Sequence, residues 1–171
     1  MAKYSSPSIG IIHVPQFLTA RGSDLAQGAT PVARRPRAEL AEVVAAYDSD
    51  APAELHTYGT ASRYRQIRPP EWPSRGRVHY EFIQSRDTIG VDLHLEDTTA
   101  ARLAPKLQVF AGNRIAPLGS LLEWDPTWNK NRGRLTVRLP SSTPAKVVAD
   151  TMVALIRLTR DTVGTELAAR T

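Results

Sequence analysis

Between Val78 and Leu95 the chain reads VHYEFIQSRDTIGVDLHL, with apolar and polar residues alternating on both sides of a central Arg86-Asp87. A period of two marks a strand with one buried face, and two such runs joined by a pair of polar residues predict a β-hairpin. With the turn centred on Arg86-Asp87, Val78 faces Leu95, Tyr80 faces Leu93 and Phe82 faces Val91. Every large apolar residue of the pair except Ile83 then falls on one side. The other side carries His79 opposite His94 and Glu81 opposite Asp92. A slip of one residue would exchange the two faces, so the register is a sharp expectation.

Helical spacing comes first in RPRAELAEVVAAYD (35–48), where Leu40, Val43, Val44 and Tyr47 share a stripe and Pro36 suits the first turn. SRYRQI (62–67) predicts a short strand ahead of the breaker-rich RPPEWPSRGR. Beyond the hairpin, Leu103, Leu107 and Phe110 form a second stripe. Pro105 must begin that helix or kink it, and Gly112-Asn113 is its stop. LLEWD (121–125) and RLTVRLP (134–140) alternate again, joined by PTWNKNRG. Thr143 as N-cap and Pro144 as first residue open a long terminal helix with Val148, Met152, Leu155, Ile156, Val163 and Leu167 on its apolar face. The order α-β-β-β-α-β-β-α predicts an α+β fold, a single domain over residues 36–171 with an antiparallel sheet of about five strands packed by helices. Residues 1–35 are expected to be a flexible N-terminal segment in which the apolar patch Ile9–Leu18 adds at most an edge strand.

Composition narrows the classes. A chain of 171 residues that is 42% hydrophobic holds one well-buried core. Cysteine is absent, which excludes disulfides, thiolate chemistry and cysteine-ligated metals, and fits a cytoplasmic setting. The N-terminal apolar run is short and broken by His13 and Pro15, unlike a secretory leader, and no run is long enough to cross a bilayer. The net charge is +5, and 18 of the 22 basic residues are Arg. They cluster at Arg63, Arg65, Arg68, Arg75 and Arg77 before the hairpin, and at Lys130, Arg132, Arg134 and Arg138 after it.

Familiar catalytic patterns are missing. A restriction-type nuclease needs a lysine beside its acidic strand pair, and none lies between Lys3 and Lys106. No nucleophile elbow, phosphate-cradling glycine loop or H-E-x-x-H helix is present. The quartet His79, Glu81, Asp92 and His94 has the mixed imidazole and carboxylate character that suits zinc, manganese or iron. Arg134 and Arg138 fall on one face of a later strand and neutralise the same carboxylates equally well. The expectation is therefore a solvated, salt-bridged face with no metal and no cofactor. Tyr64 and Trp72 among the first basic cluster, and Trp128 beside Lys130 and Arg132 in the second, fit a surface that stacks bases and holds phosphates.

The strands HYEF (79–82) and VDLHL (91–95), the helix leading to Gly119, and LEW (122–124) before a strand and a long helix resemble the bacterial domain-of-unknown-function family 4268, over roughly residues 60–168. Members of that family often follow a restriction-nuclease-like domain, so the resemblance implies a genome-defence or mobile-element context. The element order is also similar to small secretion-chaperone-type folds that bind other proteins. The sequence thus favours a non-enzymatic binding module whose partner is nucleic acid, held by Arg63, Arg65, Arg68, Arg75, Arg77, Trp128, Lys130, Arg132 and Arg134. One alternative is a protein-interaction adaptor acting as a homodimer. Another is a metal-dependent enzyme using the His79, Glu81, Asp92 and His94 face.

Overall fold

A computed structural model describes residues 38–72 and 78–169. The expectations for residues 1–35, and for Arg75 and Arg77, lie outside the described residues. Helix α1 (Leu40–Asp48) leads into β1 (Tyr64–Ile67), β2 (Val78–Gln84) and β3 (Thr88–Leu95). Two short helices, α2 (Thr98–Ala101) and α3 (Ala104–Gln108), precede a small hairpin of β4 (Arg114–Ile115) and β5 (Ser120–Leu121). The chain closes with β6 (Glu123–Asp125), the turn α4 (Trp128–Asn131), β7 (Arg134–Pro140) and the long helix α5 (Ala145–Ala168).

The fold is α+β, built on a five-stranded antiparallel sheet in the order β1-β2-β3-β7-β6. The central hairpin has the expected register. Val78 pairs with Leu95, His79 with His94, Tyr80 with Leu93, Glu81 with Asp92 and Phe82 with Val91. Ser85 donates its backbone N–H to Thr88 O at 2.9 Å, which closes the turn on Arg86 and Asp87.

One sheet face is the apolar core. Val78, Tyr80, Phe82, Ile89, Val91, Leu93, Leu95, Leu135, Val137 and Leu139 are buried there together with Val148, Met152, Leu155, Ile156 and Val163 of α5. Tyr47 of α1 meets Phe82 edge-on at 5.6 Å, and the Tyr80 hydroxyl bonds the Thr159 hydroxyl at 2.9 Å inside the core. Burial pushes the Tyr80 phenol above its ordinary range. The segment after β1 is tied to α5 by a two-bond clamp between Arg160 and Glu71, at 2.7 and 3.0 Å.

Several boundaries differ from expectation for local reasons. α1 starts at Leu40 because Glu39 and Glu42 form a reciprocal capping box there. Pro105 does begin its helix, α3, at the first turn. Pro144 precedes α5 as its N-cap, while Thr143 sits in the preceding turn with its N–H on Pro140 O. LLEWD is not one strand: Ser120 and Leu121 pair with β4, and only Glu123–Asp125 joins the main sheet. No described helix is long and apolar enough to cross a membrane.

Candidate metal centre on the polar sheet face

The second sheet face is polar and, contrary to the expected solvated surface, buried. His79, Glu81, Asp92 and His94 are 4%, 6%, 0% and 1% exposed. The register aligns the face in rows. Gln66, Glu81, Asp92, Thr136 and Glu123 are successive cross-strand partners, and so are His79, His94, Arg134 and Asp125. Burying four ionisable side chains this completely is costly unless each one is answered by a partner.

Asp92 is answered in full. Its Oδ1 accepts the Thr136 hydroxyl at 2.6 Å, and its Oδ2 accepts Arg134 at 3.0 Å with Arg138 at 3.5 Å. Gly90 makes room for the second arginine, since a methyl group at this position would fall on the Arg138 guanidinium. Arg134 also donates twice to Asp125, at 3.1 and 2.9 Å, and lies 4.0 Å over the Trp128 ring. The Thr127 hydroxyl, and then Arg134, hold the Asp125 carboxyl below the usual range. The expected pairing of Arg134 and Arg138 thus serves Asp92, while Glu81 finds other partners.

The cover over this face is the turn α4. Asn129, Lys130 and Asn131 have φ values of 46°, 60° and 64°, and Gly133 follows at 94°. A left-handed backbone costs an ordinary L residue about 1–2 kcal/mol. The three-residue run turns Trp128 back over His94, with ring centroids 4.8 Å apart. Arg132 and Asn129 bond the Glu96 carbonyl and fix the end of the hairpin beneath the same turn.

Three potential metal ligands converge under this cover. One ligand atom each from His79, Glu81 and His94 lies within 4.8 Å of the other two. His79 Nε2 stands 3.3 Å from Glu81 Oε2, and His94 Nδ1 stands 3.9 Å from Glu81 Oε1. Ligands about 2.0–2.2 Å from a tetrahedral metal stand about 3.4 Å apart. The His79–Glu81 separation matches that spacing, and the other two are longer. Glu96 Oε1 is 3.8 Å from His79 Nε2 at the more exposed rim.

Orientation is set from outside the cluster. His94 Nε2 lies 3.2 Å from Asp92 Oδ2, and the buried Nδ1 on the other side of the ring has no hydrogen-bond partner. A carboxylate behind a ligating imidazole is the usual outer partner of a metal-bound histidine. The Gln66 amide donates to Glu81 Oε2 at 2.9 Å, and the same nitrogen sits 3.0 Å from His79 Nε2.

The cluster is reached through a cavity of about 490 Å³ lined by Arg63, Tyr64, Gln66, Glu81, His94 and Glu96, with Trp128 at its side. Tyr58, bridged to Gln66 at the sheet edge, has its phenol raised by burial and by the negative charges of Glu96 and Glu81, against the opposing pull of Arg68.

The residues expected to hold nucleic acid are divided by the structure. Arg63, Arg68 and Lys130 are exposed, and Arg65 is half-buried with its guanidinium on the Tyr64 carbonyl. Trp128, Arg132 and Arg134 are engaged within the protein, on His94, Glu96 and Asp92 respectively. The site also uses Gln66, Glu96, Thr136 and Asp125, which the sequence did not single out. Glu96 was legible, because Asp92, His94 and Glu96 continue one alternation. Compared with known proteins, the chain matches no family model, no curated protein and no solved structure.

Proposed function

We propose that this chain binds a divalent transition metal of the zinc class through His79 Nε2, His94 Nδ1 and Glu81, and uses it in hydrolytic chemistry. Two imidazoles and one carboxylate form a ligand set typical of catalytic zinc, which leaves a fourth position for water. The observation that carries this reading is His94. Its Nε2 is tied to Asp92 and its buried Nδ1 is unpartnered toward Glu81, an arrangement with an uncompensated cost of about 1–3 kcal/mol that a ligated cation removes. The cavity lined by Glu81 and His94 gives a substrate room beside the site.

Bound metal would lower the pKa of its water toward neutrality and polarise a substrate oxygen. Asp92 would orient His94, and Trp128 would keep the site dry on one side. Cobalt titration tests the reading. Metal-free protein should develop the strong visible absorption of a four- or five-coordinate cobalt site at one equivalent, and His94→Ala should not. A weak octahedral spectrum identical in both proteins would refute it.

A second reading, nucleic-acid binding through phosphates, is favoured by Arg63, Arg68 and Lys130, which are exposed and form no ion pair with any described residue. It calls for an affinity that falls steeply with salt, roughly 0.9 per contacted phosphate in logarithmic slope for duplex. Titration of labelled single- and double-stranded oligonucleotides at several salt concentrations checks it.

A further inference from the structure

We infer that the substrate of the proposed metal site is a phosphodiester whose phosphate is anchored by Arg63; the inference rests on the metal reading above. The cavity that reaches Glu81 and His94 is continuous in its lining with a second cavity of about 500 Å³. Arg63, Gln84 and Ser85 line both, and the second also takes in Arg86, with Glu39 on its far side. The Arg63 main chain is held at the boundary, where its carbonyl accepts the Gln84 N–H at 2.7 Å. Neither Arg63 nor Arg86 forms an ion pair with any described residue, whereas Arg134 and Arg138 are both committed to Asp92. A free guanidinium beside a metal site presents planar paired donors matched to a phosphate. The continuation toward Arg86 gives the second ester arm a place to lie, which a monoester does not need.

The chemistry balances with water alone as co-reactant. Glu96 at the rim would take one proton from a water activated by the bound metal, and the hydroxide so formed would attack phosphorus. A new P–O bond forms from that oxygen as the bond to one alcohol oxygen breaks. The leaving alkoxide takes up the proton, so that a monoester and an alcohol are released. Glu39 is occupied by its capping box with Glu42 and is free of the transfer.

The test loads the full chain with zinc or manganese, measures bound metal, and supplies bis(p-nitrophenyl) phosphate and p-nitrophenyl phosphate separately. The diester should be hydrolysed in preference to the monoester. Arg63→Ala should raise KM for the diester roughly tenfold or more, the worth of one charge-assisted hydrogen bond, while kcat stays within about twofold. Calorimetric titration with inorganic phosphate gives an independent readout, and Arg63→Ala should weaken binding by the same factor with metal stoichiometry unchanged. A protein that binds metal yet neither turns over the diester nor binds phosphate overturns the inference and leaves the metal reading standing. Preference for the monoester also overturns it. A protein that binds no metal removes both.

Discussion

Asp92 Oδ2 lies 3.2 Å from His94 Nε2, and through that contact a fully buried carboxylate turns the other ring nitrogen of His94 toward Glu81 and His79. The same Asp92 is the counter-charge for Arg134 and Arg138, so one residue links the charge balance of the polar face to the orientation of its candidate ligand.

Removing that carboxylate should therefore have two separable effects. Asp92→Ala leaves two arginines without their shared partner and should lower stability by about 3–5 kcal/mol in denaturant unfolding. Asp92→Asn keeps the shape and an acceptor but not the charge. It should retain the fold while weakening zinc affinity about 10–100-fold, as loss of an outer-sphere partner does.

The turn that covers the site carries strain that glycine relieves. Lys130 has φ 60° and is exposed. Lys130→Gly should raise stability by up to about 1 kcal/mol, offset in part by the freer unfolded chain. Thermal unfolding of the two proteins under one condition measures it, and a drop in Tm would show that the Lys130 side chain contributes more than its backbone costs.

Trp128 should report occupancy of the site. Its ring is 4.8 Å from that of His94, so cobalt bound at His94 should quench its fluorescence. Trp128→Phe should abolish most of that quenching, leaving the emission of Trp72 and Trp124. Equal quenching in both proteins would place the metal elsewhere.

The clamp between Arg160 and Glu71 gives a pH-dependent term remote from the site. The Arg160 hydrogen bonds hold the Glu71 carboxyl below the usual range. A depressed carboxyl contributes stability that is present above its unfolded pKa and is lost as pH falls through its folded one. Both partners are partly exposed, so the contribution at neutral pH is about 1 kcal/mol or less. Glu71→Gln should show that deficit at pH 7 and approach the stability of the parent protein under acid conditions.

The hairpin register was legible because a period of two and a two-residue polar turn leave one solution, and Tyr80, Phe82, Leu93 and Leu95 agree on it. Two-residue strands such as Arg114–Ile115 carry no periodicity, so the small hairpin was missed. Burial of His79, Glu81, Asp92 and His94 was not legible either. It depends on a run of left-handed residues in PTWNKNRG that folds Trp128 onto the sheet, and on Arg134 and Arg138, whose guanidiniums reach in to Asp92. Alternation assigns a residue to a face and says nothing of what covers that face. Gln66 became part of the site only through its pairing with Glu81 across β1 and β2.

The most direct measurement is zinc stoichiometry by calorimetry and elemental analysis on metal-free protein, beside a His79→Ala/His94→Ala variant whose fold is verified by circular dichroism. The parent protein should bind one zinc per chain at micromolar concentration or tighter, and the folded variant none. No binding by the parent, or equal binding by both, would show that this buried face is not a metal centre.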